Sequence, residues 1–172
     1  MNPRLRKLNE PDSFHLRAAE GWLELGDATS AGDELEEISS EEKTHPAVLS
    51  MRCAIYLQAQ KWDYAAEVAQ VITEAVPEDA GGWIHLAYAT RRKPGGGIPQ
   101  AKIILLAAEP NFPGQYLFPF NLACYCSQLN ELEEAERWLR KAMGIDEIHV
   151  MKLAMSDPDL KPLLDSLGEK IK

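Results

Sequence analysis

The chain has 172 residues, 45% hydrophobic and 26% charged, with a formal net charge of −9. That balance marks a globular chain rather than a disordered one, and its acidity disfavours nucleic acid, whose phosphates call for a basic field. Three cysteines do not make the even set of a disulfide framework, no run approaches the roughly eighteen apolar residues of a membrane span, and no apolar stretch follows the basic start MNPRLRKLNEPDSF as in a signal peptide, so the expected location is the cytoplasm.

Taken in order, the chain reads as successive pairs of amphipathic helices. Segment 13–25 carries Phe14, Ala18, Ala19, Trp22 and Leu25 at helical spacing, and Gly26-Asp27 breaks it. Segment 29–39 follows with Ala31, Leu35 and Ile38. The second pair has Leu49, Cys53, Tyr56 and Leu57, then Ala65, Ala69 and Ile72, and stops at Pro77. The third has Trp83, Leu86, Ala87 and Thr90, then Ala101 to Ala108. The fourth runs from Phe120 to Leu129 and from Leu132 to Met143.

Beyond these lies an apolar tail with Ile148, Met151, Leu153 and Met155. Ser156-Asp157-Pro158-Asp159 then reads as an N-cap followed by proline at the first helical position. Leu160, Leu163, Leu164 and Leu167 are spaced to cover the last hairpin, with Glu169, Lys170 and Lys172 outward, as a terminal cap requires.

The pairs repeat. Ala19, Cys53, Ala87 and Ala123 are separated by 34, 34 and 36 residues. Ala31, Ala65, Ala101 and Ala135 are separated by 34, 36 and 34, as are Leu35, Ala69, Leu105 and Leu139, and Ile38, Ile72, Ala108 and Ala142. The first series meets the two extra residues after Ala87 and the second meets them before Ala101. They therefore fall in Lys93-Pro94-Gly95-Gly96-Gly97-Ile98-Pro99, independently the strongest loop signal in the chain. Small residues at fixed positions let two helix backbones approach, and a hairpin that cannot cover its own apolar face stacks on its neighbours.

This pattern resembles the tetratricopeptide repeat, W-x2-L-G-x2-Y followed by A-x3-F and then A and P. The third pair is nearest, with Trp83-x2-Leu86-Ala87 and Ala101-x3-Leu105; the second has Cys53, Tyr56, Ala65, Ala69 and Pro77; the fourth has Asn121-Leu122-Ala123, Ala135, Leu139 and Ala142; the first has Trp22, Ala31 and Leu35. Arg52 stands where the family prefers Leu, His15, Leu49 and Pro119 where it prefers Trp, and Thr90 and Cys126 replace the aromatic. The resemblance covers residues 12–146 and extends to small bacterial repeat proteins with NLACY-like and DPDL-x-PL-like segments. It implies an all-α chain, a right-handed α-solenoid of four such hairpins plus C-terminal capping helices. As one domain over 1–172, its repeats would be 12–45, 46–79, 80–115 and 116–147, with the cap at 148–172.

Chemistry-bearing patterns are weak. Cys124 and Cys126, two apart on a helix, point to different faces and lack the partners of a zinc site, so they read as small buried hydrophobes. His15, His45, His85 and His149 are scattered and read as packing or solvated residues. The glycine run lacks the G-x4-G-K-[ST] pattern and follows a helix, which makes it a lengthened turn. No catalytic set, metal site or cofactor is expected, and the chain reads as a binding module rather than an enzyme. Glu34, Glu36, Glu37, Glu41 and Glu42 form either a solvated face or a dock for a basic partner.

In the family the first helix of each hairpin lines a concave groove. The matching positions here are Leu16, Glu20 and Glu24; Ser50, Ala54 and Gln58; Ile84, Tyr88, Arg91 and Arg92; and Phe120, Cys124 and Gln128. Tyr and Arg dominate binding hot spots, and two arginines suit a carboxylate or main-chain carbonyls; the plain alternative is solubilising charge at a helix end. The carboxylate clamp of some family members is absent, because Leu16, Glu20, Met51, Gly81 and His85 occupy its positions. The resemblance thus implies a scaffold that takes a peptide or helix in the groove, or else a small acidic chaperone holding a secreted or assembling client. No nucleic acid or membrane partner is expected, and homodimerisation through an apolar groove or end helix stays open.

Overall fold

The computed structural model describes residues 7–170, and among these there are ten α-helices and no strand. Helices α1 (Glu10–Glu24), α2 (Ala28–Glu36), α3 (Pro46–Gln58), α4 (Trp62–Ala75) and α5 (Ala80–Arg92) belong to a compact unit ending at Pro94. Helices α6 (Ile98–Ala108), α7 (Leu117–Gln128), α8 (Leu132–Ile145), α9 (Glu147–Ala154) and α10 (Lys161–Lys170) belong to a second unit beginning at Gly95. The boundary falls in the glycine-rich loop, where Gly95 (φ 73°) and Gly97 (φ 152°) both have positive φ. No described helix is long and apolar enough to cross a membrane.

Every member of the four small-residue series is buried, from Ala19, Ala31 and Ala65 at 0% to Leu139 at 8% exposure. In unit 1, Ala19, Ala31, Leu35, Ile38, Val48 and Ile55 form one core against which Leu16, Leu23 and Met51 pack.

Three hairpin turns share one hydrogen-bond pattern. Gly26, Gln60 and Asn130 take the left-handed conformation, with φ 87°, 55° and 61°. The next residue's N–H reaches back to the start of the last helical turn: Asp27 to the Trp22 carbonyl, Lys61 to Tyr56 and Glu131 to Cys126. The left-handed residue itself donates to Leu23, Leu57 or Ser127. This pair of bonds satisfies carbonyls that the helix end would otherwise leave open. The residue after the left-handed one then starts the return helix. Asp27 does so most fully, accepting from Thr29 N–H (3.1 Å), Ser30 N–H (3.0 Å) and the Ser30 hydroxyl (2.7 Å).

Three apolar stretches differ from the sequence reading. Phe14, Trp22 and Leu25 are exposed, because α1 packs on α2 and α3 through the other side of its surface, around Ala19. Ile148, Met151 and Met155 are exposed, because α9 buries Val150 and Ala154 instead. In the cap, Leu160 and Leu163 are buried while Leu164 is 41% exposed. The Asp157 N-cap opens a 3₁₀ turn (Pro158–Leu160), accepting from the Asp159 N–H at 2.9 Å, before α10 begins. The outward positions assigned to Glu169, Lys170 and Lys172 lie outside the described side chains.

The carboxylates of this framework set a pH dependence. Asp12 accepts from the Ser39 N–H (2.8 Å) and hydroxyl (2.7 Å), tying α1 to the segment after α2. Hydrogen bonds from Ser39 to Asp12, from Ser30 to Asp27 and from His149 to Asp146 hold all three carboxyls below the usual aspartate value, and burial holds His85 below the usual imidazole value. Each group takes up its proton less readily folded than unfolded. Its stabilising effect is complete above the unfolded pKa and is lost as pH falls. The expected denaturation midpoint therefore drops first as pH passes below about 6.5, from His85, and more steeply below about 4, from the aspartates. Urea titrations across this range check it, with Asp12→Asn removing part of the acidic limb. A midpoint that rises on acidification would contradict it.

Candidate functional site

The sequence-predicted positions on α5 converge into a surface within unit 1. Asp79 caps the helix by accepting from the Gly81 N–H (3.0 Å), and the Trp83 Nε1–H donates to the Pro77 carbonyl (2.9 Å), so the start of α5 is held at both flanks. Leu86, Ala87, Ala89 and Thr90 face inward and are buried. Ile84, Tyr88, Arg91 and Arg92 recur at spacings that share the opposite face, Ile84, Arg91 and Arg92 half-buried and Tyr88 39% exposed. The Arg92 guanidinium lies 3.5 Å from the Tyr88 ring centroid and donates to the Tyr88 carbonyl (3.1 Å). Trp62, the first residue of α4, completes the cluster, its ring edge-on to Tyr88 (6.1 Å, 64°) and 5.6 Å from the Arg92 guanidinium. Stacking pre-orders a side chain that otherwise loses much rotamer freedom on binding. The product is a positively charged plane between two aromatic rings, suited to a carboxylate or main-chain carbonyls.

A second polar cluster lies in unit 2. Lys102 of α6 donates to Glu131 (2.5 Å) and Glu134 (3.1 Å) at the start of α8, beside the buried Cys126. Burial disfavours its ammonium, but the two carboxylates outweigh this and raise its pKa. Ligand atoms of Cys126, Glu131 and Glu134 lie within 4.8 Å of one another, close enough for a metal. The internal Lys102 ammonium neutralises those carboxylates, however, and burial pushes the Cys126 thiol up to about 11, far from the thiolate a metal needs. The arrangement therefore acts as a tie between α6 and α8. Lys102→Met is expected to destabilise the protein by about 1–3 kcal/mol, between an exposed pair and a fully buried one. Chemical denaturation checks this, and an unchanged midpoint would show that the tie contributes nothing.

No protein-family model matches the sequence, and no curated protein matches it in a sequence comparison. Solved structures do match. The thermophilic TPR protein TTC0263 of Thermus thermophilus superposes with a TM-score of 0.69 at 21% identity, over 92% of this chain and 89% of that one. MamA (residue 41 to the end) of Desulfovibrio magneticus RS-1 superposes with a TM-score of 0.70 at 15% identity, over 95% of this chain and 94% of the other. The chain has the tetratricopeptide-repeat fold.

Within that fold the other groove positions are distributed unevenly. Leu16 is half-buried against the unit 1 core, while Glu20 and Glu24 are exposed. Ser50 and Ala54 are half-buried, and Gln58 is exposed, its amide donating to the Leu23 carbonyl (3.2 Å). Phe120 and Cys124, expected on an open groove, are buried at 4% and 2% exposure. For Cys124 the cause is the cap, whose Asp157 carboxylate lies 3.7 Å from the thiol. Gln128 is exposed and donates to the Asp159 carbonyl (2.9 Å).

The acidic face is partly used internally. Glu36 accepts from Lys43 and Arg52 (both 2.8 Å), Glu34 pairs with His15 (2.9 Å) and Glu42 is buried. Glu37 and Glu41 remain exposed. Two further histidines have structural partners: His45 caps α3 by accepting from the Ala47 N–H, and His149 pairs with Asp146 and stacks on Tyr116. Sequence reasoning missed Trp62 and the Lys102 cluster. Trp62 stands in register with Ala28, Ile98 and Leu132, at intervals of 34, 36 and 34, but register does not pair it with Tyr88; the partners lie 26 to 32 residues away, from Trp62–Tyr88 to Lys102–Glu134.

Proposed function

We propose that this chain is a protein-binding scaffold whose working surface is the face of α5 formed by Ile84, Tyr88, Arg91 and Arg92, together with Trp62. The observation that carries this reading is the Arg92 guanidinium stacked 3.5 Å from a Tyr88 ring that is itself 39% exposed. Tyr, Trp and Arg are the residue types whose truncation most often abolishes association. The ligand is a peptide or helix carrying a carboxylate or free main-chain carbonyls for the arginines and an apolar side chain for the rings. The three cysteines, Cys53, Cys124 and Cys126, form no disulfide, which suits the reducing environment of the cytoplasm.

The test compares wild type with Tyr88→Ala/Arg92→Glu in affinity capture from the native cell extract, followed by titration with each captured partner. Circular dichroism first establishes that the variant keeps its helices. A partner bound through this surface is expected to lose about 2 kcal/mol or more, roughly thirtyfold in Kd. Equal binding by both proteins would remove α5 as the working surface. Loss of many unrelated partners, rather than one, would favour the client-holding chaperone.

A further inference from the structure

The first helix of the last hairpin is already gripped, and its occupant is the chain's own tail. Segment 157–163 lies along α7, and the contacts have the character of peptide recognition. Gln128 Nε2–H donates to the Asp159 carbonyl (2.9 Å), and the Leu163 N–H donates to the Ser127 hydroxyl (3.3 Å). Both bonds go to main-chain atoms of the segment, so they read its backbone path rather than its side chains. Specificity comes from two anchors three residues apart, Leu160 at 0% and Leu163 at 1% exposure. A third element is the turn that presents them, which Asp157 closes by accepting from the Asp159 N–H (2.9 Å), with Pro158 pre-setting its φ.

The grip uses a position that repeats. Gln58, Arg92 and Gln128 follow one another at the repeat interval, and each donates a side-chain N–H to a main-chain carbonyl, of Leu23, Tyr88 and Asp159 respectively. Only in the last case does the carbonyl belong to a segment outside the hairpin pairs. The link to that segment is short and open. Met155, which closes α9, is 83% exposed, and Ser156 is exposed beside it. A short exposed link of this kind is where exchange of an element between copies originates.

We infer that the α7 face is a docking site for a segment with an Asp-Pro turn followed by leucines three residues apart, filled at rest by residues 157–163 of the same chain and exchangeable for that segment of a second copy. The site lies wholly in unit 2 and is independent of the α5 surface, so either can fail without the other.

The decisive experiment uses the full chain and a fluorescein-labelled peptide of residues 156–170. Leu160→Asp/Leu163→Asp releases the internal segment while leaving α7 unchanged. Anisotropy titration is expected to show saturable binding to this variant, at least tenfold tighter than to wild type, where the site is filled. Adding Gln128→Ala to the released variant is expected to weaken the peptide at least threefold. A released variant that stays helical and binds no better than wild type would overturn the inference.

Native-state hydrogen exchange on the unmodified chain keeps the question decidable if the variant does not fold. Protection at Leu160 and Leu163 that is lost well before that of α7 and α8, and lowered further by excess unlabelled peptide while α7 stays protected, supports exchange. Exchange of those amides only through global unfolding makes the segment an integral cap and overturns it.

Discussion

Phe118→Ala is expected to destabilise the protein by about 3–5 kcal/mol, the range for deleting a buried aromatic ring. Phe118 is completely buried in unit 2 and stacks on Phe112, the ring centroids 4.9 Å apart and the planes 8° from parallel. That offset arrangement adds an aromatic contribution to the transfer of the ring from water. Phe118 lies at the start of α7 beside Pro119, which is also buried, so little nearby can swing in to fill the void. A chain of this size has a total stability of about 5–15 kcal/mol, so the variant approaches the threshold of unfolding at 37 °C. Urea denaturation followed by circular dichroism checks the magnitude. Phe118→Leu, which keeps most of the volume, is expected to lose much less. Equal midpoints for Phe118→Ala and wild type would mean the site collapses freely and that packing at the start of α7 does not stabilise unit 2.

The second large effect comes from adding atoms. Gly82 lies in the first turn of α5 where that helix crosses α4, and a Cβ built there would sit 2.7 Å from Ile72 Cγ2 and 3.5 Å from Thr73 Cγ2. Ile72 and Thr73 are both buried, and their branched side chains have restricted χ1 freedom in a helix, so neither can step aside cheaply. For Gly82→Ala, the gain in helix propensity, about 1 kcal/mol, opposes an overpacking cost of about 1–3 kcal/mol. The net change is a loss of up to about 2 kcal/mol. Gly82→Leu forces the two helices apart and is expected to lose more than about 3 kcal/mol. Because α5 carries Tyr88 and Arg92, the same variant should also disturb their alignment with Trp62 on α4. Gly32→Ala in α2 serves as the opposite control, since its Cβ meets nothing within 4 Å and the propensity gain stands alone. Melting curves of the three variants give the ordering. If Gly82→Ala stabilises as much as Gly32→Ala, the close approach of α4 and α5 is not what requires glycine.

Most of the framework was legible without coordinates. The intervals of 34, 34 and 36 placed Ala19, Cys53, Ala87 and Ala123 in one series, and all four are at 0% exposure. The two-residue insertion falls in a loop with two positive-φ glycines, and Asp157-Pro158 starts a helical turn. These features are local. A helix's own periodicity reports which of its faces is inward, and turn residues act within a few positions of themselves.

The candidate surface was legible only in part. Tyr88, Arg91 and Arg92 could be named from their register, but the ring that completes the cluster, Trp62, lies 26 residues before Tyr88 on another helix, and register does not pair the two. The same holds for Lys102 between Glu131 and Glu134, and for the tail segment that covers Cys124 and engages Gln128. Register likewise marked Phe14, Trp22 and Leu25 as apolar without revealing that the neighbours of α1 leave them uncovered. Periodicity thus determined the repeat register and the small residues that each hairpin turns inward. Which side chains meet across helices, and which apolar positions find a neighbour at all, was decided by the distance and rotation of one helix against the next, quantities that arise only when the helices pack.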